Sequence, residues 1–147
     1  MKQEIPFIEI MDTTLRDGEQ TSGVTFLPYE KLAIARKLLG EVNVDRIEVA
    51  SARVSTGELE AFGNICSWAH QNGHLGRVEA LGFVDNGVSI NWITDAGGKV
   101  INMLTKGSLR HVTMQLKKTP EEHLNDIKRN IEMAVKKGLE VNIYLED

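Results

Sequence analysis

The sequence contains a single cysteine, no long apolar run and no excess of positive charge. One cysteine, Cys66, excludes an internal disulfide framework and is typical of a reducing cytoplasm. No apolar run approaches the ~20 residues of a membrane-spanning helix, and the first four residues lack the apolar character of a signal peptide. The net charge is −4, with Lys and Arg dispersed, so neither a nucleic acid nor a membrane surface is the expected partner.

Common ligand-binding motifs are also missing. There is no Walker sequence, and no Gly-x-Gly-x-x-Gly run opens a helix after a strand. The four histidines do not have the spacing of a His-x-His metal motif. We expect His70 and His123 to be solvated on helices and His74 to lie in a loop. His111 follows a predicted strand, which leaves a role near the substrate open for it.

The sequence does contain a regular alternation of strand and helix patterns. Its 147 residues, 41% of them apolar and 26% charged, suffice for one globular domain with a core. Periodicity predicts strands over 7–12, 46–50, 78–84, 100–104 and 141–145, and helices over 28–41, 55–73, 88–96 and 119–138. This order predicts a parallel sheet with helices outside it, which is either a five-stranded open sheet or part of a (β/α)₈ barrel.

Local patterns add detail to the predicted helices. Ser55 and Thr119 are each followed three residues later by a glutamate, which is the spacing of a capping box. On the first helix the residues Leu32, Ala35, Leu38, Leu39 and Val42 are predicted to face the core, and on the last one Leu124, Ile127, Ile131 and Ala134. Cys66 falls on the buried stripe of the second helix, where a small apolar side chain is expected.

A dense polar cluster follows the first predicted strand, over residues 12–20. Ligands of parallel α/β proteins bind at the carboxyl ends of strands. Arg16 beside Asp17 offers an anion clamp next to a hard metal ligand. The alternatives are a turn or cap role for Asp17 and a salt bridge between Arg16 and Glu48. Glu48 lies inside an apolar strand and needs a partner there, which either Arg16 or the surroundings of a bound metal would provide.

The string Asp-Thr-Thr-Leu-Arg-Asp-Gly-Glu-Gln resembles that of the metal-dependent acyl-CoA condensing and lyase enzymes built on TIM barrels. Within that group it resembles the 2-isopropylmalate, citramalate and homocitrate synthases, and is most similar to the citramalate synthases. The likeness is strongest over 12–20, 47–55 and 141–147. It implies that residues 1–147 form the N-terminal portion of a TIM-barrel catalytic domain, with about five of its eight strands.

The resemblance also implies roles for individual residues. Asp17 would bind a divalent metal (Mg²⁺, Mn²⁺ or Zn²⁺) together with later histidines that this chain lacks. Arg16 would polarise the 2-oxo group of the substrate, and Glu48 and Gln20 would hold the site in place from behind. Glu146, at the end of the fifth strand, would relay a proton or help remove one from acetyl-CoA. The alternative for Glu146 is an exposed terminal acid.

Substrate choice is expected to lie in the strand ends. Leu81, Leu104 and Tyr144 match positions that line the side-chain pocket of the 2-oxo acid in these synthases, although packing in the barrel core is the other interpretation. Apolar residues there favour pyruvate or 2-oxoisovalerate over 2-oxoglutarate, whose second carboxylate needs a cation. Thr105 is expected to contribute a hydroxyl to the substrate carboxylate.

The resemblance therefore predicts a cytoplasmic acyltransferase that condenses acetyl-CoA with a short 2-oxo acid. The products would be citramalate or 2-isopropylmalate, in isoleucine or leucine biosynthesis, and the full-length enzyme would be a homodimer. Two alternatives remain at this stage. One is an acyl-CoA lyase or aldolase of the same superfamily. The other is a non-catalytic fragment, because the later metal ligands are absent from these 147 residues.

Overall fold

A computed structural model describes residues 7–147. Five strands and four α-helices alternate along them. The strands are β1 (Met11–Asp12), β2 (Arg46–Ser51), β3 (Val78–Phe83), β4 (Val100–Lys106) and β5 (Glu140–Glu146). The helices are α1 (Pro28–Lys37), α2 (Thr56–Gln71), α3 (Val88–Asp95) and α4 (Pro120–Lys136). No helix in this part of the chain is long and apolar enough to cross a membrane.

All five strands are parallel and pair in the order β1-β2-β3-β4-β5. A doubly wound open sheet reverses its strand order at a switch point, whereas this order runs on in one direction. Right-handed crossovers then place all the helices on one face of the sheet. The alternation of elements predicted from the sequence is confirmed, and of the two architectures left open the structure has the half-barrel.

Contacts between distant strands show that the sheet curls. In a flat sheet β2 and β5 would be ~14 Å apart, and β1 and β5 ~19 Å apart, because neighbouring strands are ~4.8 Å apart. Arg46 on β2 nevertheless reaches Glu140 on β5, with 3.3 Å between Nη1 and Oε1. The hydroxyl of Tyr144 on β5 donates to the sulfur of Met11 on β1 over 3.6 Å. The inner face of the half-barrel therefore brings the side chains of all five strands together.

The apolar core lies between the outer face of the sheet and the helices. Its fully buried members include Ile47, Ala80, Ile101 and Met103 from the strands, and Phe62, Ile65 and Ile93 from the helices. Phe62 stacks on Trp92 with 5.4 Å between ring centroids. Gly98 is required beside this ring, because an added Cβ would lie 2.7 Å from the Phe62 Cζ atom. Cys66 is buried here as predicted, and burial raises the pKa of its thiol to about 12, so the thiol is neutral at physiological pH.

Both predicted caps are confirmed. The Ser55 hydroxyl accepts from the Glu58 N–H over 3.1 Å. At α4 the Thr119 hydroxyl accepts from the Glu122 N–H over 3.2 Å, and the Glu122 carboxylate accepts in return from the Thr119 N–H over 2.8 Å. Hydrogen bonds from the backbone and hydroxyl of Thr119 lower the pKa of Glu122.

Two expectations about local structure were wrong, and the predicted first helix is confirmed with a change of helix type along its length. The first strand does not begin at residue 7: Phe7, Ile8 and Ile10 are largely exposed, and only Met11–Asp12 pairs with β2. The first helix ends at Lys37 and continues as a wider turn over Leu38–Val42. Val42 and Leu124, expected to face the core, are exposed because no described residue packs over them. Periodicity reports which side chains are apolar and not whether a partner covers them.

Candidate active site at the carboxyl ends of the strands

The segment after β1 folds into a tight turn that orients its charged residues. The carbonyl oxygen of Thr13 accepts from the backbone N–H groups of Arg16, Asp17 and Gly18, at 3.1, 2.8 and 3.2 Å. Leu15 is fully buried in the core and anchors the turn. A short 3₁₀ helix, Gly18–Gln20, follows. The turn therefore presents Arg16 and Asp17 at the carboxyl end of the sheet, as the sequence predicted.

Arg16 links a buried carboxylate to an exposed one. Its Nε lies 2.5 Å from Oε2 of Glu48, which is completely buried. Its Nη1 donates to Oδ1 of Asp17 over 2.8 Å, and the Asp17 side chain is 59% exposed. Among the described residues no hydrogen bond occupies Nη2 of Arg16, so its donors are available to an anion. The salt bridge with Glu48 therefore exists and still leaves donors on the guanidinium.

A buried lysine secures the loop behind Arg16. Lys31 on α1 is only 1% exposed, and its Nζ lies 2.6 Å from Oε2 of Glu19 and contacts Oε1 of Glu58. Glu19 also accepts from the Phe26 N–H over 2.8 Å. The sequence analysis missed Lys31, because a lysine in an amphipathic helix usually points to solvent. The sequence feature that pointed to a buried cation was Glu19, an acidic residue close to Arg16 for which no partner had been assigned.

Gln20 lies on the surface beside this loop, in front of an open cavity of about 320 Å³. The cavity is lined by Arg16, Glu19, Gln20, Ser51, Val54, Ser55 and Glu58. No hydrogen bond joins Gln20 to Arg16 or Glu48 among residues 7–147. Its supporting role stays a prediction.

The inner face of the sheet carries further buried polar residues. Glu48 and Glu79 lie side by side in the β2–β3 register and are both fully buried. Arg46 neutralises Glu79, with 2.7 Å between Nη1 and Oε1. Asn102 on β4 donates to Glu48 over 2.7 Å, and Asn142 on β5 donates to Asn102 over 2.9 Å. The sequence analysis applied the partner argument to Glu48 alone, although Glu79, Asn102 and Asn142 also interrupt apolar strands.

The predicted pocket residues share this inner face. Leu81 pairs with Asn102 in the β3–β4 register, and Leu104 pairs with Tyr144 in the β4–β5 register. Leu81 is buried, whereas Leu104 and Tyr144 are half-buried. Burial raises the pKa of Tyr144 to about 12, and the nearby Glu48 and Glu79 carboxylates add to the increase, so the phenol stays protonated.

Glu146 ends β5 in an ion pair that the sequence analysis did not anticipate. Its carboxylate contacts Nζ of Lys106, the residue beside it in the β4–β5 register. The hydrogen bond and positive charge of Lys106 lower the pKa of Glu146. Both residues border an open cavity of about 300 Å³, together with Leu104 and Thr105. Among the described residues no hydrogen bond joins Glu146 to Arg16.

Thr105 points differently from its neighbours in β4. Its Oγ1 lies 3.0 Å from Nε2 of His123 on α4, on the helix side of the sheet. His123 is buried, so the expectation that it is a solvated surface residue was wrong: the same ring nitrogen also lies 3.0 Å from the Lys106 carbonyl oxygen. His111 lies at the strand ends, and its Nδ1 is 3.7 Å from Oδ1 of Asp147. A substrate role for His111 or for Thr105 stays a prediction.

Asp17 is suited to a divalent metal but does not form a site alone. A half-exposed carboxylate with one oxygen free of Arg16 is a hard donor of the type that Mg²⁺, Mn²⁺ and Zn²⁺ accept. Within residues 7–147, however, no group of three or more His, Cys, Asp or Glu side chains is placed to hold an ion. Among the described residues Asp17 is therefore a single candidate donor and not a complete metal site.

Several curated proteins are similar in sequence to this chain. The chain is 38% identical over 149 residues to a putative (R)-citramalate synthase of Methanopyrus kandleri. The alignment covers 95% of this chain and 26% of that protein. It is 37% identical to the (R)-citramalate synthase of Methanocaldococcus jannaschii (95% and 27% covered) and 36% identical to the 2-isopropylmalate synthase of Pyrococcus furiosus (95% and 28% covered). The chain thus spans about a quarter of the length of these curated relatives.

Solved structures agree on the fold. The hydroxymethylglutaryl-CoA lyase of Bacillus subtilis superimposes with a TM-score of 0.68 at 19% identity, covering 94% of this chain and 46% of that one. The lyase of Acinetobacter baumannii, solved with coenzyme A and 3-methylmalate, gives 0.65 at 17% identity, covering 92% and 43%. At these identities the likeness establishes the barrel fold and not the reaction. The profile of the HMGL-like family matches residues 7–147, and the chain belongs to this family.

Proposed function

We propose that the intact protein is an acyltransferase that condenses acetyl-CoA with a short 2-oxo acid, and that residues 1–147 form the N-terminal portion of its catalytic barrel. The observation that carries the proposal is the Arg16 guanidinium, fixed by buried Glu48, with free donors beside Asp17. The names of the relatives at 36–38% identity support a synthase over a lyase.

Arg16 is assigned to the 2-oxo group. In the condensation a proton leaves the acetyl methyl group, and the resulting carbon attacks C2 of the oxo acid. The 2-oxo oxygen then carries negative charge until it is protonated. A fixed guanidinium at that oxygen stabilises the developing charge, and a single such donor contributes ~3 kcal/mol to transition-state stabilisation in other enzymes. Water then hydrolyses the thioester and releases coenzyme A.

Asp17 is assigned as one ligand of a divalent metal whose remaining ligands lie outside residues 7–147. When bound, such an ion would supply Lewis-acid polarisation of the substrate. Glu146 is assigned to proton relay. A base that removes a methyl proton benefits from a pKa near the working pH, whereas Lys106 lowers the pKa of Glu146. Glu146 is therefore better suited to orient water or pass a proton than to act as the primary base.

The inner-face residues support a small or apolar substituent on the oxo acid. Leu81, Leu104 and the Tyr144 ring offer no charge to a second carboxylate. The cations of this face besides Arg16 are already paired, Lys106 with Glu146 and Arg46 with Glu79. Pyruvate and 2-oxoisovalerate are therefore favoured over 2-oxoglutarate, and the products would be citramalate or 2-isopropylmalate.

The test is coenzyme A release by the intact protein from acetyl-CoA with pyruvate, 2-oxoisovalerate or 2-oxoglutarate. We expect release with one of the first two. Arg16→Lys should lower kcat roughly 100-fold, because the planar fork is lost and the single nitrogen of lysine must serve both the Glu48 contact and a substrate contact. Arg110→Lys, the same change at an exposed position, is the matched control and should leave kcat unchanged. No release with any 2-oxo acid would refute the synthase assignment.

A further inference from the structure

A chain of buried polar side chains runs across the inner face of the half-barrel. It passes from Arg16 through Glu48, Asn102 and Asn142 to Glu79 and ends at Arg46, at the opposite end of the strands. The segment after β1 and each of the strands β2–β5 supply at least one member. Glu48, Glu79 and Asn102 are all fully buried, so water cannot replace these contacts.

The two carboxylates determine the direction of the hydrogen bonds in this row of side chains. An ionised carboxylate only accepts hydrogen bonds, so each amide must turn its NH₂ group toward the nearest one. Asn102 donates to Glu48, and its own oxygen accepts from Asn142 over 2.9 Å. The second proton of the Asn142 amide goes to Glu79 over 3.3 Å. Both protons of the Asn142 amide have acceptors, and neither amide can flip without losing two bonds.

Asn102 occupies the decisive position in this chain. The β2–β3 register places the Glu48 and Glu79 carboxylates next to each other, and two like charges in low dielectric repel. Arg16 takes one oxygen of Glu48, and Asn102 holds the other at 2.7 Å. Without that second bond the Glu48 carboxylate loses one of the two hydrogen bonds that orient it, and the Arg16 guanidinium bonded to it is less firmly positioned.

We propose that Asn102, fixed in turn by Asn142, is a positioning residue that holds Glu48 and thereby sets the orientation of Arg16. Asn102 itself does not touch the substrate. The proposal rests on the proposed function, because it gives the orientation of Arg16 a consequence for catalysis. Side chains that orient metal ligands by hydrogen bonding commonly contribute 10- to 100-fold to activity, and we expect an effect of the same order for the partner of Glu48.

Asn102→Asp in the intact protein separates a positioning role from a merely structural one, because a positioning role predicts an activity that depends on pH. The new carboxyl group would lie beside Glu48, and the two would share a proton. While protonated, it donates to Glu48 as the amide does; once it ionises, repulsion turns Glu48 away. The other charged or titratable groups near this pair are Arg16, Glu79, Arg46 and Tyr144, and the pKa of Tyr144 is raised to about 12, far above the range tested.

We therefore expect the kcat of Asn102→Asp, divided by the wild-type kcat at the same pH, to fall roughly 10- to 100-fold between pH 5 and pH 8. The kcat of Asn102→Leu, divided by the wild-type kcat, should be lowered by a similar factor at every pH. Asn125→Asp, the same change at an exposed position of α4, is the control and should keep a constant ratio. Circular dichroism over the same range separates the loss of activity from unfolding.

A second readout does not depend on turnover. The Nε–H signal of Arg16, followed by NMR in the intact protein with ¹⁵N-labelled arginine, should be sharp and protected from exchange in the wild type. It should broaden and exchange faster in Asn102→Leu and, above the shared pKa, in Asn102→Asp. A pH-independent kcat ratio for folded Asn102→Asp, or an unchanged Arg16 signal, overturns the proposal. Full activity of Arg16→Lys overturns instead the proposed function, and the NMR result still decides the role of Asn102.

Discussion

The two faces of the sheet are made by the same strands and have opposite chemistry. The outer face presents Ile47, Ile101 and Met103 to the helices, and all three are fully buried in an apolar core. The inner face, one residue along each strand, presents Glu48, Glu79 and Asn102, which are buried just as completely. Burial alone therefore does not separate a packing residue from a site residue. What separates them is whether the neighbours are apolar atoms or hydrogen-bonding partners.

The outer face should carry most of the stability. Phe62→Ala should lower the free energy of unfolding by about 3–5 kcal/mol, because it removes a fully buried ring that stacks on Trp92 and leaves a cavity. Urea denaturation measures the change. Phe7→Ala, the same substitution at an 82% exposed residue, is the matched control and should change little. Equal effects from the two would mean that the outer face does not form the core.

The inner face should contribute less to the free energy of unfolding than the outer face. It should respond more strongly to a change of hydrogen-bonding group at constant shape. Glu79→Gln keeps the shape but places an NH₂ group where both Arg46 and Asn142 donate. One donor is left without an acceptor, so we expect a loss of about 1–3 kcal/mol in the free energy of unfolding. Glu132→Gln on the exposed surface of α4 is the control. An unchanged stability would show that water reaches Glu79.

The smallest effect on the free energy of unfolding is expected at an exposed ion pair. Lys37 and Glu41 lie four residues apart with 3.0 Å between Nζ and Oε1, and both side chains are about 70% exposed. Lys37→Ala should change the free energy of unfolding by no more than about 0.5 kcal/mol, because solvent screens the pair. A loss as large as that of Glu79→Gln would contradict the idea that burial gives the inner face its sensitivity. The same urea titration provides the measurement.

Much of the architecture was predictable from the sequence because it depends on local patterns. The alternation of strands and helices and the caps at Ser55 and Thr119 follow from periodicity and spacing, and the structure confirms them. The first strand was the exception. Phe7, Ile8 and Ile10 have the apolar character of a strand, but their side chains are largely exposed. Although the Ile10 carbonyl oxygen accepts from the Asp45 and Arg46 N–H groups, the paired strand begins at Met11.

The candidate site was predictable only where one residue was unusual by itself. Glu48 attracted attention because it interrupts an apolar strand, and Arg16 proved to be its partner. Lys31 was missed, since its burial depends on Glu19 and Glu58 meeting it from other segments. Lys106 was missed for the same reason, because its contact with Glu146 exists only in the β4–β5 register.

The sequence by itself determined the order of elements, the helix caps at Ser55 and Thr119 and the charged turn that holds Arg16 and Asp17. These features depend on residues within a few positions of one another, whose spacing is read directly. Only the tertiary structure decided that the sheet curls and that Asn102, 54 residues away, reaches Glu48. The curvature sets which side chains meet on the inner face, because strands that are distant in a flat sheet become neighbours across a barrel.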